Sequence, residues 1–253
     1  MDTPEFPALS NVIQKYLLED FTGHLCVNCP QAHAVADEMK TDMGDTLIIL
    51  AIHSGGYAKP QTAPYENDYR SEMGDQVSTE FGISAYPAGM ISRKDFSGNR
   101  VLSRLAWKSS MASIVRQAPN IGIQIIAEGQ SEDSINVFVK TTFLANTDQN
   151  LLLYVVLSES GLVSAQKNNS SAVGTTPEIL NYEHKHTLRS HIAPIEGNAI
   201  ASLGTPIQAN DTLIKGYTLY LTGKPWKLDN CSVIAFICDS NTKEVLQVEE
   251  IHL

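Results

Sequence analysis

The sequence predicts an α/β domain in the N-terminal half of the chain and an all-β domain in the C-terminal half. Three observations predict this division. A strand–helix–strand pattern surrounds a Cys-x-x-Cys motif at residues 26–29, a Tyr86-Pro87 step follows a second helix, and after Pro119 only short strand-like segments recur. Because 253 residues exceed what one small core needs, we place the domains at residues 1–119 and 120–253.

Composition excludes two classes of partner. The chain carries 18 Lys and Arg against 28 Asp and Glu, a net charge of -10, which argues against nucleic acid because phosphate binding needs a basic surface. No segment approaches the roughly 18 uninterrupted apolar residues of a membrane span. The first five residues contain neither a basic stretch nor an apolar run, so the protein is either cytosolic or exported with its signal removed.

The first half opens with a predicted parallel unit. The apolar run Tyr16–Leu18, followed by Glu19-Asp20-Phe21, predicts a short buried strand. A helix is predicted from Cys26, with Pro30 tolerated in its first turn, and Gly44 lies just past its end. Residues 46–52 form a continuous apolar run, which indicates a strand buried on both faces.

The remainder of the first half predicts two further helices and a hairpin. After a Gly- and Pro-containing loop at residues 54–64, residues 65–81 predict a surface helix that stops at Gly82. Residues 83–91 and a strand from Arg100 predict a hairpin, and apolar positions between Trp107 and Ala118 predict the last helix.

The second half predicts a β-sandwich. About seven short strand-like segments and no helix are typical of an immunoglobulin-like sandwich, while jelly-roll and barrel topologies stay possible. The segments are residues 121–127, 135–143, 151–157, a stretch around 184–191, 212–221, 231–238 and 244–251.

The cysteine motif has a physical reason to be reactive. A helix N-terminus stabilises a thiolate and lowers its pKa, so Cys26 is expected to attack a partner's sulfur and Cys29 to resolve the mixed disulfide. An inert structural disulfide and half of a zinc site are the alternatives. The zinc interpretation is weak because no second Cys-x-x-Cys and no His-x-x-x-His completes four ligands, and we predict no metal.

Two segments around this motif resemble thioredoxins. The strand-to-turn segment from Asp20 to Cys26 is similar to the strand leading to the thioredoxin active site, and residues 81–87 are similar to its cis-proline segment. The resemblance implies that Asp20 is a buried proton acceptor and that Pro87 is cis and packs against the cysteine pair. Tyr86 is then expected to offer backbone groups to an extended substrate, and no dissociable cofactor is required. Residues expected to contact substrate beside it are Val27, Asn28 and Ala85.

The whole chain resembles the outer-membrane protein twenty-eight related lipoproteins of Bacteroides-like bacteria. The segment from Leu18 to Pro30, the all-β second half and residues 182–189 carry this resemblance. It implies a location in the cell envelope, with a lipoprotein signal and a lipidated cysteine upstream of Asp2. The membrane would then be contacted only through a lipid anchor that this sequence does not contain.

Other candidate groups have simpler interpretations. Glu19 rivals Asp20, but adjacent strand residues point to opposite faces, so only one can approach Cys29. Cys231 and Cys238 lie in one predicted strand, about 23 Å apart at 3.3 Å per residue, so they cannot pair. The histidines at 184, 186 and 191 could bind metal, although histidines in strands are usually packed or exposed.

Two functions follow from these observations. The first is an exported thiol–disulfide oxidoreductase acting on protein thiols and disulfides; its redox direction is open because Val27 and Asn28 replace the usual dipeptide. The second is a non-enzymatic cell-surface binding or adhesion protein that uses the N-terminal fold as a scaffold. An exposed, low-pKa thiolate at Cys26 would favour the first function, and a disulfide buried from reductant would favour the second. The oligomeric state is not predicted.

Overall fold

The computed structural model describes residues 3–131, 133–202 and 204–253, which divide into two units, each assembled from separate stretches of sequence. We call them the cysteine unit, Leu17–Val115 with Ser158–Ser190, and the β unit, which comprises the residues up to Tyr16, Arg116–Leu157 and His191–Leu253. A break after Val115 lies close to the boundary expected at residue 119. The segment Ser158–Ser190, however, belongs with the N-terminal half, which no contiguous division at residue 119 provides.

The chain forms three α-helices and thirteen strands within its described residues. The helices are α1 (Cys29–Met43), α2 (Glu72–Glu80) and α3 (Arg104–Ser113). The strands are β1 (Tyr16–Thr22), β2 (Leu47–His53), β3 (Ala88–Ile91), β4 (Ile121–Ser131), β5 (Ser134–Phe143), β6 (Leu151–Glu159), β7 (Leu162–Lys167), β8 (Glu178–His184), β9 (Thr187–His191), β10 (Asn198–Ala201), β11 (Thr212–Tyr220), β12 (Cys231–Asp239) and β13 (Val245–His252).

The sheet of the cysteine unit has the order β9-β2-β1-β3. Every residue of β1 and β2 is buried, as their continuous apolar runs predict. Strand β3 is antiparallel to β1, β9 is parallel to β2, and β7 and β8 form a separate antiparallel pair. The strand predicted around residues 184–191 therefore exists as the end of β8 and as β9, and both lie almost wholly within the cysteine unit.

Helix boundaries differ from those expected. Helix α2 begins at Glu72 rather than at residue 65, because Ser71 caps it: the Ser71 hydroxyl accepts a hydrogen bond from the Gly74 N–H at 3.1 Å. The expected hairpin is reduced to β3 and a single bridge between Gly89 and Leu102. No helix of the described residues is long and apolar enough to cross a membrane.

The β unit contains two groups of paired strands. One has the order β13-β12-β6, with β10 also paired to β6, and the other has the order β11-β5-β4. Side chains from both groups, such as Val137 of β5 and Val233 of β12, share one hydrophobic core. Cys231 and Cys238 are buried thiols of β12, in the single strand that the sequence predicts.

Candidate functional site

The cysteine pair forms a disulfide immediately before helix α1. The Cα atoms of Cys26 and Cys29 are 5.4 Å apart, and the helix begins at Cys29, three residues later than expected. Pro30 explains the difference. A helix starting at Cys26 would require the residue at position 30 to donate to the Cys26 carbonyl, and proline has no N–H to donate. Cys26 therefore lies in the preceding turn rather than in the helix.

Both cysteines are buried. Cys26 is 3% exposed and Cys29 is fully buried, whereas Val27 and Asn28 between them are exposed. Cys26, the predicted nucleophile, is therefore a buried residue in the oxidised protein, and the exposed Val27 and Asn28 lie between the two cysteines.

Residues 166–169, which we call the cover segment, bind the backbone of residues 24–28, which we call the cysteine loop. The Lys167 N–H donates to the His24 carbonyl at 2.8 Å, and the Asn169 N–H donates to the Val27 carbonyl at 3.1 Å. The Gln166 side-chain amide donates to the Cys26 carbonyl at 2.9 Å. Three loop carbonyls are thus satisfied by a segment about 140 residues away in sequence.

The cover segment is itself held in place. The buried Asn168 side-chain amide donates to three carbonyls of the following loop at 2.9 to 3.1 Å, those of Ser170, Gly174 and Thr175. The Asn169 side chain also contacts Asn28 and Gln31 at 2.7 and 2.8 Å. The sequence gives no signal for this contact, because residues 166–169 are ordinary polar residues far from the cysteines along the chain.

The Tyr86-Pro87 peptide bond is cis, as the resemblance implies. The Tyr86 hydroxyl and the Ser54 hydroxyl are 2.9 Å apart, and Ser78 donates to Ser54 at 2.7 Å. Tyr86 borders a shallow surface depression that also includes Leu25, so the tyrosine lies near the cysteine loop. Ala85 is exposed and Pro87 is half-buried.

Asp20 and Glu19 occupy different environments. Glu19 forms two hydrogen bonds with the buried Arg93 guanidinium, at 2.9 and 2.7 Å. Asp20 is 1% exposed, and burial raises the pKa of Asp20 to about 8. Its Oδ2 atom lies 3.6 Å from Nε2 of His33, whose pKa burial lowers to about 4. At pH 7 both groups are therefore neutral, and the contact is not an ion pair.

Asp20 lines a cavity of about 410 Å³ in the cysteine unit, which we call the histidine cavity. Its walls come from β1, α1, β2, β8 and the loops beside β8. The polar and charged lining residues are Asp20, His33, Asp37, His53, Tyr182, Glu183, His184, Lys185 and His186. His184 and His186 are metal candidates from the sequence, but nothing in the sequence indicates that they lie beside His33, His53 or Asp20.

The histidines of the cavity are neutral. Burial lowers the pKa of His184 to about 3 and of His186 to about 4, and it lowers the pKa of His53 well below its usual value. Within the described residues, no group of three or more His, Cys, Asp or Glu side chains has an arrangement that could hold a metal ion. The cluster at 184, 186 and 191 is therefore no metal site in this part of the chain.

The fold and the site define a protein with two units, one of which carries a buried disulfide loop and a histidine-lined cavity. A family model described as outer membrane protein Omp28 matches residues 74–253. The chain belongs to the Omp28 family, and it is an exported protein of the cell envelope. The N-terminal sequence left a cytosolic and an exported location open, and membership of this family favours the exported one.

The chain is similar to several solved structures. HBP35 of Porphyromonas gingivalis is 17% identical with a TM-score of 0.69, over 96% of this chain and 76% of that one. A protein from Agrobacterium tumefaciens is 11% identical with a TM-score of 0.51, over 96% of both chains. A domain of the outer membrane lipoprotein Omp28 from P. gingivalis is 24% identical with a TM-score of 0.36, over 53% of this chain and 88% of that one. A comparison with curated proteins found no match.

Proposed function

We propose that this chain is a non-enzymatic binding protein of the cell envelope in which Cys26–Cys29 is a permanent structural disulfide. The observation that carries the proposal is the burial of both cysteines, together with the hydrogen bonds that the cover segment donates to the carbonyls around Cys26. A redox disulfide must present one sulfur to an incoming thiolate, since exchange proceeds by direct attack on sulfur. The low exposure of Cys26, 3%, supports a disulfide that is sheltered from such an attack.

The proposed scaffold is a thioredoxin-like fold in the cysteine unit and an immunoglobulin-like sandwich in the β unit. The strand, disulfide turn and helix in sequence, the buried Asp20 and the cis Tyr86-Pro87 bond support the first. The core shared by two groups of strands supports the second. A lipid anchor upstream of Asp2 would attach the protein to the membrane, in keeping with the name lipoprotein given to the Omp28 domain of P. gingivalis.

The test is the accessibility of the disulfide. Folded protein is incubated with dithiothreitol, new thiols are alkylated, and mass spectrometry follows the Cys26–Cys29 peptide over time. The same chain unfolded in guanidinium is the matched control, because its disulfide is fully exposed. We expect reduction of the folded protein to be slower by about a hundredfold or more, since attack requires opening of the loop. Equal rates in the two states would contradict the proposal.

Oxidoreductase activity is the second candidate, because the raised pKa of Asp20 suits a proton acceptor. After reduction by a dithiol, the Cys26 thiolate would attack a partner disulfide and release one partner thiolate. In molecules where Asp20 is ionised, Cys29 would lose its proton to that carboxylate, attack the Cys26 sulfur, reform the Cys26–Cys29 bond and release the second partner sulfur as a thiolate. The net result transfers two electrons from the pair to a protein substrate.

The two candidates differ in the thiol pKa of the reduced protein. Alkylation rates measured against pH, with Cys26→Ser as the subtraction control, report the Cys26 thiol alone. Titration near the free-cysteine value of about 8.5 supports the structural disulfide, and titration well below it supports the oxidoreductase.

A further inference from the structure

Two buried histidines of the cysteine unit lie where an added proton would find no acceptor. Among the described residues, none forms a hydrogen bond with either ring nitrogen of His53 or with Nδ1 of His184, and these atoms have almost no accessible surface. A protonated imidazole donates from both nitrogens, so it needs two acceptors. The folded protein therefore tolerates the two neutral rings, whereas a proton on either ring would be buried without the hydrogen bonds that it requires.

The buried carboxyl groups near these rings supply no counter-charge. Glu159 contacts the Arg189 guanidinium at 3.1 Å, and burial raises the pKa of Asp20 to about 8, so this carboxyl is neutral in mild acid. The other titratable groups that face the two histidines are His24, His33, Tyr69 and Tyr182 in the interior, with His186, Asp37, Glu183 and Lys185 at the rim of the cavity. A charge on either buried ring would thus face neutral rings and a second imidazole.

His184 joins the strand pair β7–β8 to the rest of the cysteine unit. Its ring packs edge to face on His53 of β2, with 5.3 Å between the ring centroids, and lies 5.0 Å from the Tyr69 ring. Two residues earlier in β8, the Tyr182 hydroxyl lies 2.6 Å from Nδ1 of His33 in α1. Protonation of both His53 and His184 would set two like charges in contact, and their repulsion would separate β8 from β2.

The same pair of strands carries the cover segment. Gln166 and Lys167 are the last two residues of β7, and they donate to the carbonyls of Cys26 and His24. Strand β7 is paired with β8 from Leu162 to Lys167, so a movement of β8 also moves β7. The histidine contacts and the hydrogen bonds to the cysteine loop are therefore made by one structural element.

We propose that mild acid protonates His53 and His184, releases the β7–β8 pair from β2 and thereby exposes the Cys26–Cys29 disulfide to reductants. The inference rests on the proposed structural disulfide and adds the condition under which its shelter is lost. Burial lowers the pKa of both packed histidines, to about 3 for His184, whereas released histidines take up protons near pH 6.5. Every unit of pH below 6.5 therefore favours the released state.

The test follows reduction of the disulfide by tris(2-carboxyethyl)phosphine, which acts in acid as well as at neutral pH. Mass spectrometry measures the rate for the folded chain and for the same chain unfolded in guanidinium, between pH 7 and 4.5. The ratio of the folded to the unfolded rate removes the reagent's own pH dependence. Release that takes up two protons raises this ratio about a hundredfold per pH unit below pH 6. If Asp20 is exposed as well, it loses a proton, and the rise is about tenfold per unit.

His53→Phe keeps a ring of similar size that cannot take up a proton, so the rise per pH unit should be about tenfold smaller than in the parent. His252→Phe, at an exposed position of the β unit, is the matched control and should keep the parental rise. If His53→Phe does not fold, His184→Gln should give the same reduction, because its amide does not titrate and can still bond the Ser164 hydroxyl.

The buried thiols of Cys231 and Cys238 report whether the β unit opens at the same time. In parallel samples without phosphine, 4,4′-dithiodipyridine, which modifies thiols in acid, should leave both thiols unmodified at the pH where the disulfide becomes reducible. Their modification at that pH, or an unchanged rise in both histidine variants, would overturn the inference. Equally slow reduction at every pH would reject it and leave the structural disulfide standing. Rapid reduction already at pH 7 would reject the structural disulfide as well.

Discussion

The protonation of Asp20 makes the stability of the protein depend on pH in a defined window. The folded pKa of Asp20 is about 8 and the unfolded value is 3.8. Between these values the folded state holds a proton that the unfolded state has lost, so the free energy of unfolding falls as pH rises, by about 1.4 kcal/mol per unit. The buried histidines have the opposite effect, because their folded pKa values are lowered, and that effect fades above pH 6.5, where the unfolded histidines lose their protons.

Between pH 6.5 and 8 the buried histidines still contribute about 0.4 kcal/mol each in the opposite direction, so the Asp20 effect is obtained from the difference between the parent and a variant that lacks this carboxyl. Integration across this window, allowing for half-deprotonation at the folded pKa, gives a loss of about 1.5 kcal/mol. The Asp20→Asn side chain cannot ionise, so the free energy of unfolding of this variant should not show the pH-dependent loss that Asp20 causes. The slope of the difference between parent and variant is the informative quantity, because thiols and the N-terminal amine titrate equally in both proteins.

Urea denaturation at four pH values between 6.5 and 8 measures the effect, provided that the m-value stays constant. Asp42→Asn, at an exposed position of helix α1, is the control and should retain the parental slope. Parallel curves for the parent and Asp20→Asn would refute the assignment of a protonated, buried carboxyl at this position.

Further predictions concern three other positions. Glu19→Gln leaves the buried Arg93 charge without its carboxylate, and a loss of about 3–5 kcal/mol is expected in urea denaturation, whereas a loss below 1 kcal/mol would contradict the buried pair. Gln166→Ala removes a donor from the loop carbonyls, so dithiothreitol should reduce the disulfide faster than in the parent; an unchanged rate would deny the cover segment its protective role. Gly55→Ala adds a Cβ only 2.6 Å from the Tyr86 hydroxyl at a backbone φ of +63°, and it should destabilise the protein by about 1–3 kcal/mol in thermal denaturation, while an unchanged midpoint would contradict this packing.

Local signals explain what the sequence predicted. Strands β1 and β2 follow from continuous apolar runs, and the cis bond before Pro87 follows from a resemblance that covers only seven residues. The start of α1 was misplaced because the cysteine spacing suggested a helix from Cys26, while Pro30 forbids the first hydrogen bond of such a helix.

Long-range contacts explain what the sequence did not predict. The cover segment depends on hydrogen bonds between Gln166 and Cys26, and neither residue type signals such a pairing. The histidine cavity likewise combines His33 and His53 with His184, which come from strands and a helix far apart in the chain. Their lowered pKa values arise from burial, which the residues in isolation do not reveal. The hydrophobic periodicity of the sequence could not locate these histidines, because they are polar.

The order of synthesis gives the late position of the cover segment a consequence for biogenesis. Val115 emerges from the ribosome or the export channel well before Ser158–Ser190, the stretch that completes the cysteine unit. Until that stretch arrives, the turn that holds Cys26 lacks the hydrogen bonds that residues 166–169 donate to its carbonyls. The cysteines can therefore meet and oxidise before these hydrogen bonds form.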